Sequence, residues 1–451
     1  MQVETIKIIS IKIQDHHLEM LYSIDQFQFS TKVFYHDVSF DSLIQRYSAE
    51  TIHRLVAYIA LFEGMKFCSL YPKKFDISVI AEWLSPQTPK LFNQIYRGVF
   101  AQNLYENRIT NYSGAVLVYD QDLTEKKALK IRGENPTVLA GCGGGKDSFL
   151  AMKLLEDSNL TFASMQYSHS VYGKADLQHK LIDNVLQHVQ PINAHKISIF
   201  DDFVDYPFVQ LYCPHLSGIT VPETPVSIFE SLILMLNFDY QYLSLAHEKS
   251  ANTGNLFSAE LGQEVNHQWG KGYEAERIIN QFIRDNLLDN FTYFSILQPL
   301  YDYRIFKNIS RHPEVLPSLH SCNIQKPWCK KCPKCAYVWL GLMANFEPNL
   351  VDAVFQNNLF DDPDLLPIFR QMLGLAEHTP FECIGEINES RLAMKKCLEK
   401  GLSGLAMDVF VREVLSDLTI DWQTLEDKYN RVYESEHAIP DNIFQGIVNQ
   451  L

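Results

Sequence analysis

Thr137-Val-Leu-Ala-Gly-Cys-Gly-Gly-Gly-Lys-Asp-Ser148 joins a short apolar run to a glycine cluster and then to Lys-Asp-Ser, directly ahead of Phe149, Leu150, Met152, Leu154 and Leu155. The spacing of those apolar residues predicts a helix, so the order is strand, glycine loop, helix. Such a junction suits phosphate. Glycines let several backbone N–H groups come close to an anion, and the dipole of the following helix favours negative charge at its N-terminus. The G-x-x-x-x-G-K-[ST] loop of kinases and GTPases is a poorer description, because Asp147 stands where Ser or Thr is needed, and the dinucleotide fingerprint fails on spacing. The competing reading is a tight glycine turn without a ligand.

Downstream of this loop, strand-like and helix-like stretches alternate. Thr137 to Ala140 is followed by a helix to Glu156, then Thr161 to Tyr167, a helix from Asp176 to Val189, Lys196 to Phe200, a helix from Glu223 to Asn237, and Tyr242 to Ala246. Alternation of this kind predicts an α/β fold with a doubly wound, mostly parallel sheet covered on both faces. Ligands on such sheets gather at the carboxyl ends of the strands, so the glycine loop, His169 and His247-Glu248-Lys249 are expected on one rim. Upstream, residues 1–132 mix strands (Ile6 to Ile13, Lys32 to Tyr35) with a helical stretch from Thr51 to Phe67 and read as an α+β N-terminal domain. The polar segment Asp120 to Asn135 links it to the second domain, residues 133–345, and residues 346–451 read as a helical C-terminal region.

Composition narrows the function classes. The chain has 451 residues, enough for two or three domains, and a net charge of −15. That balance argues against a nucleic-acid surface, which is built from clustered Lys and Arg. The first residues alternate polar and apolar side chains without the apolar core of a signal peptide, and no apolar run approaches a membrane span. Nine cysteines without an export signal suit a reducing cytoplasm, where clustered thiols bind metal more often than they pair.

Four of those cysteines are clustered as Cys322-x6-Cys329-x2-Cys332-x2-Cys335. The pattern suits a structural, tetrahedral zinc site, with an iron–sulfur cluster or redox thiols as the alternatives. Cys68, Cys142, Cys213, Cys383 and Cys397 are isolated and are expected to be small buried hydrophobes, Cys142 being the one to watch because it lies in the glycine loop. A further polar cluster runs through Ser250-Ala-Asn-Thr-Gly-Asn255 and Glu264-Val-Asn-His-Gln-Trp-Gly-Lys-Gly272, ahead of a helix beginning near Tyr273. Composition alone favours an ordinary turn there. Within it His267 and Lys271 are the residues suited to moving protons.

Gly143-Gly144-Gly145-Lys146-Asp147-Ser148 resembles the S-G-G-x-D-S loop of the PP-loop ATP pyrophosphatases, with Gly143 in the usual place of Ser. Taken with Ser250-Ala-Asn-x-Gly-Asn255, Asn266-His267-Gln268, Tyr303-Arg304, Pro333-Lys334-Cys335-Ala336 and His378-x-Pro380-Phe381-Glu382-Cys383-x-Gly385-Glu386, the chain resembles the UDP-N-acetylmuramoyl-L-alanyl-L-glutamate epimerases across residues 135 to 390. The resemblance implies a PP-loop/HUP-like fold. It also implies ATP-dependent inversion of the terminal L-Glu of UDP-MurNAc-L-Ala-L-Glu to D-Glu through an acyl-adenylate, releasing AMP and pyrophosphate, in peptidoglycan precursor synthesis. Under it Gly143, Gly144, Gly145 and Ser148 hold the phosphates, Lys146 neutralises them or stays solvated, and Asp147 orients the loop or ligates Mg²⁺. His267 and Lys271 become the proton-transfer pair with His169 and His247 in reserve, Arg304 pairs a substrate carboxylate or phosphate, and Ser250, Asn252, Asn255 and Asn266 bind substrate. The implied partner is a small molecule, with no nucleic acid and no membrane. The N-terminal domain would recognise the uridine–sugar part of the substrate. A 7-cyano-7-deazaguanine synthase-like amide or nitrile synthase joins a similar loop to a similar four-cysteine site. A tRNA-thiolating enzyme calls for a basic surface, and a non-catalytic nucleotide-binding regulator for ATP binding without AMP.

Overall fold

The structure is a computed structural model that describes residues 3–131 and 135–451. The expected domain boundary between residues 132 and 133 lies outside the described residues. The chain opens with an antiparallel meander, β1 (Thr5–Ile13), β2 (His17–Ile24) and β3 (Phe27–Tyr35). Leu18, Met20, Tyr22 and Ile24 of β2 are buried in strict alternation, the period-two pattern of a strand with one face on a core. Helix Ala49–Gly64 follows, started by Ser48, whose hydroxyl accepts from the Thr51 N–H. Two short strands, β4 (Lys74–Asp76) and β5 (Val116–Val118), extend the meander on its outer side.

The central strands are β6 (Asn135–Cys142), β7 (Phe162–His169), β8 (Ala194–Asp201), β9 (Tyr240–Leu245) and β12 (Thr292–Ser295), all parallel. A separate hairpin is formed by β10 (Leu256–Ser258) and β11 (Gln263–Val265). The large sheet has ten strands in the order β12-β9-β6-β7-β8-β3-β2-β1-β4-β5. The parallel strands thus take the doubly wound order, with the reversal between β6 and β9. The meander joins them through an antiparallel ladder from Thr31–Asp201 to Tyr35–Ile197, so one sheet serves both halves. Six strands, β2, β4, β5, β10, β11 and β12, lie outside the sequence expectations. The four residues of β12 are too few to show a period, whereas the alternation of β2 is plain in the sequence.

Both faces are covered. On one, helix Glu223–Phe238 packs on helix Ala49–Gly64, with Phe229 stacked on Phe62 at 4.4 Å. On the other, helices Lys146–Asp157, Asp302–Ile309 and Pro333–Asn345 share a core with the C-terminal helices. Helix Glu223–Phe238 is apolar nearly all round because it is buried all round. Among the described residues no helix is long and apolar enough to cross a membrane.

A charged cluster is sealed inside around Lys66. Lys66 is fully buried and bonds Glu63 at 3.0 Å, Thr31 Oγ1 at 2.8 Å and the carboxylate of Asp201. Burial opposes its charge, but Asp201 and Glu63 outweigh burial and hold its pKa above the ordinary value. Glu230 beside them is buried next to Glu63, and both effects push its carboxyl far above the usual range, so it is held protonated.

Candidate active site

The glycine loop leaves β6 at the switch point of the sheet, where the crossover from β6 to β7 and the ends of β6 and β9 open a crevice. Gly144 has φ +80°, and a Cβ there would sit 1.9 Å from the His320 ring. A Cβ on Gly145 would meet Ser321 Oγ at 2.9 Å, while one on Gly143 would meet no described atom within 4 Å. The loop is therefore clamped against His320-Ser321 on one side, where the His320 N–H donates to the Gly144 carbonyl at 3.1 Å, and open on the other. Among the described residues no side chain caps the helix starting at Lys146, so its first N–H groups remain for a ligand. Ser148 Oγ donates back to the Gly145 carbonyl at 3.1 Å and fixes the turn.

A cleft of about 300 Å³ lies over this loop. Gly143, Gly145, Asp147 and Ser148 line it, with Lys271, Lys326 and Lys334 facing them. Lys146 is not at its wall. Its ammonium turns inward, 2.5 Å from Asp147, paired with Asp302 and 4.8 Å over the Phe306 ring. Burial opposes that charge, and Asp147 with Asp302 more than compensates. A neutralised, buried lysine anchors the loop from below, and the cations that face the cleft come from elsewhere in the chain.

Three distant segments are stitched together beside the loop. Asn255 donates to Thr379 Oγ1 and the Pro380 carbonyl, both at 2.9 Å, and accepts from the His267 N–H at 2.9 Å. Asn266 holds the Ala251 carbonyl and the Gln268 N–H, and Gln268 reaches the Ile384 carbonyl at 2.9 Å. Asn252 accepts from the Tyr273 N–H, starting the helix Tyr273–Asn286, and donates to Gln298. Ser250 donates to Glu389 at 2.8 Å and accepts from the Asp302 N–H at 3.1 Å. These side chains are engaged with protein. Ser250 and Asn255 line a second hollow, away from the glycine loop, with Thr253, Glu386 and Asn388.

The stitching delivers a cysteine to the cleft wall. Lys271 Nζ lies 2.9 Å from Cys383 Sγ, and the His267 ring, a Glu382 oxygen and the sulfur all fall within 4.8 Å of one another. The expectation that Cys383 is an isolated buried hydrophobe is therefore corrected: it is half-buried, lines the cleft and faces two cationic groups. Burial opposes its ionisation, but Lys271 and then His267 prevail and lower the thiol pKa to about 6. Reciprocally, burial works against the charge on Lys271 and His267, and Cys383 keeps both pKa values above their ordinary ones. His267 Nδ1 contacts Gln102 Oε1 at 2.6 Å, which leaves Nε2 for the thiol side and brings the N-terminal third of the chain to the site.

The four clustered cysteines converge. Sγ atoms of Cys322 and Cys332, and of Cys329 and Cys335, are each 3.8 Å apart, and all four lie within 4.8 Å of one another. A tetrahedron of thiolates about 2.3 Å from an ion has edges of about 3.8 Å, so the arrangement fits zinc. Backbone N–H groups of Gln325, Lys330, Lys331 and Cys335 point at these sulfurs and would stabilise thiolate charge. The knuckle carries His320, Ser321, Lys326 and Lys334 onto the glycine loop, and Lys334 also bonds the Cys383 carbonyl.

The remaining expected residues are dispersed. Arg304 bonds the Asn430 carbonyl at 2.8 Å and the Leu451 carbonyl, pinning the C-terminal segment rather than facing the cleft. His169 ends β7, buried, with Nδ1 accepting from the Val171 N–H at 3.1 Å, and it too is off the cleft wall. His247 does line the cleft, where burial and Lys271 keep it neutral. Cys142 is buried beside Ser148, and burial raises its thiol to about 11. Sequence reasoning missed Lys326, Lys334, Tyr172 and Glu223. Both lysines sit inside or beside the cysteine string, which was the available signal, whereas Tyr172 and Glu223, joined at 2.7 Å, carry none.

Residues 1–186 and 217–296 match the family described as the MurL N-terminal domain, and residues 318–427 match the MurL C-terminal domain. Three curated relatives carry the name UDP-N-acetyl-alpha-D-muramoyl-L-alanyl-L-glutamate epimerase. That of Micromonospora is 30% identical over 275 residues, 58% of this chain and 57% of the relative. That of Salinispora tropica is 27% identical over 326 residues, covering 69% and 66%, and that of Xanthomonas oryzae is 25% identical over 389 residues, covering 82% and 81%. The chain thus spans less than two thirds of the length of the first two. No solved structure matches.

Proposed function

From the premise that this chain belongs to the MurL family, we propose that it inverts the terminal L-Glu of UDP-MurNAc-L-Ala-L-Glu to D-Glu in an ATP-dependent reaction of peptidoglycan precursor synthesis. The observation that carries the reading is the facing of two kinds of chemistry across one cleft. On one wall are an open glycine loop and an uncapped helix start suited to phosphate, and on the other a lysine and a cysteine, with His267 beside the cysteine, suited to moving a proton.

The α-hydrogen beside an ionised carboxylate is hardly acidic, because its removal would place a second negative charge next to the first. Adenylation removes that obstacle: carboxylate oxygen attacks the α-phosphorus of ATP, pyrophosphate leaves, and the acyl carbonyl can then carry enolate charge. We assign Gly143, Gly144, Gly145 and Ser148 to the phosphates as a PP-loop, Lys326 and Lys334 to their charge, and Asp147 to the Mg²⁺ that accompanies ATP. Lys146 sets the loop's position through Asp302. Proton transfer belongs to the His267–Lys271 wall, and water finally cleaves the mixed anhydride to give AMP. The four cysteines hold a structural zinc ion whose place is to fix the knuckle that presents Lys326 and Lys334. The N-terminal region, which reaches His267 through Gln102, takes the uridine–sugar end of the substrate. All reactants are small and water-soluble, which suits a cytoplasmic enzyme.

The test is incubation of the protein with Mg-ATP and UDP-MurNAc-L-Ala-L-Glu, following pyrophosphate, AMP and the chirality of glutamate after acid hydrolysis. D-Glu formed only with ATP is the expected result. Pyrophosphate without D-Glu would leave the adenylating loop and remove the epimerase; ATP binding without pyrophosphate would favour a regulator.

A further inference from the structure

We propose that Cys383 is a catalytic residue of this reaction, its thiolate taking the α-proton from one face of the adenylated glutamate. The proposal rests on the epimerase reading above and identifies which group of the proton-transfer wall acts as base.

Geometry isolates this cysteine from the other eight. Cys322, Cys329, Cys332 and Cys335 are committed to one another, while Cys68, Cys142, Cys213 and Cys397 are buried, and of these only Cys142 reaches the cleft, behind the loop. Cys383 alone combines the cleft wall with an ammonium 2.9 Å from its sulfur. Its loop is held rigidly: the Cys383 N–H donates to Glu382 Oε1 at 2.9 Å, its carbonyl takes Lys334, and Glu382 also accepts from Asn323 of the knuckle at 3.2 Å. Such fixed backbone is what precise placement of a base needs.

Lys271 and His267, beside the sulfur, are shifted toward their charged forms, which are the wrong state for a base. Lys271 keeps its charge because Cys383 and Glu248 outweigh burial, and an ammonium cannot accept a proton. His267 is likewise shifted toward imidazolium by Cys383 and Glu382. His247 is neutral, but its Nδ1 is bonded to Ser295 at 3.2 Å. The charged or titratable groups facing the sulfur are thus Lys271 and His267 from their turn, Lys334 from its helix, Glu382 from its own loop, and Tyr172 from beyond β7. In the step itself the C–H electron pair enters the enolate and the proton forms the S–H bond. A proton from water restores the C–H bond on the opposite face, and the thiol returns its proton to water.

The experiment uses the full chain with Cys383→Ala and Cys383→Ser, reading three quantities: substrate-dependent ATP–pyrophosphate exchange, deuterium uptake at the glutamate α-carbon in D₂O, and D-Glu. The expected result is loss of inversion by about 10²–10⁴-fold with pyrophosphate exchange within about threefold of the wild type. Inversion within about threefold of the wild type in Cys383→Ala would overturn the proposal and leave the epimerase standing. Absence of pyrophosphate exchange and inversion in the wild type itself would overturn both. Should the variants fail to fold, alkylation of the wild type by iodoacetamide near neutral pH replaces them. Modification mapped to Cys383, slowed by Mg-ATP with substrate and abolishing inversion but not exchange, supports the role; full inversion by alkylated protein refutes it.

Discussion

Two lysines, the buried Lys66 and the half-buried Lys271, are surrounded by opposite kinds of partner. Lys66 lies behind the sheet between Glu63 and Asp201, with no opening to solvent, and its charge is cancelled by groups that never leave it. Lys271 lies at a cleft wall and faces a thiol, whose ionisation it favours and which a ligand can reach. The first arrangement consumes its electrostatics in holding β3, β8 and helix Ala49–Gly64 together. The second holds a reactive atom where a ligand can reach it. Burial of a cation therefore says little about its use; what its counter-group faces says more.

That contrast is open to direct attack. Lys271→Ala should lower inversion by about 10²–10⁴-fold, since the thiol then reverts toward its ordinary state, while the melting temperature stays close to the wild type. An equal loss of stability and activity would erase the distinction. Lys66→Met should do the reverse, costing about 3–5 kcal/mol in urea unfolding because Asp201 and Glu63 are left buried without a partner, while the folded fraction keeps its turnover. A smaller effect comes from pH. Cys383 is depressed to about 6, so its basic form is present above that value and is lost as the pH falls through it. Inversion should drop about tenfold per unit below that point, as a single required deprotonated group demands, and pyrophosphate exchange should not follow it. On the alkaline side, His267 with its raised pKa loses its proton as the pH rises, and the curve should bend down again. The mildest change is Gly143→Ser. The open space at that position admits a side chain, and a hydroxyl there gains one hydrogen bond to phosphate, about 0.5–1.5 kcal/mol, read as a lower KM for ATP.

Local chemistry was legible in the residues; remote assembly was not. The glycine loop and the cysteine quartet could be read because the groups that cooperate lie within a few residues, so spacing alone fixes their geometry. The alternation of strands and helices gave the parallel half of the sheet for the same reason. Cys383, by contrast, stands 112 residues from Lys271, and contacts between remote segments, among them those of Asn255 and Gln268, bring the two together. Arg304 could not be assigned from its neighbours either, because its partners Asn430 and Leu451 lie 126 and 147 residues away. Amides that the resemblance assigned to substrate, Asn252, Asn255 and Asn266, satisfy backbone groups, as the ordinary turn favoured by composition would.

The antiparallel ladder between β3 and β8 also governs how this chain behaves towards its own copies. Without the first 35 residues the parallel strands would stop at β8, leaving the backbone from Ile197 to Asp201 without its partner on one side. A naked edge of that kind is a template for any other extended chain, so truncation to the parallel half should produce precipitate rather than a smaller working unit. The meander is a selvedge: it finishes the sheet so that it does not fray into its neighbours.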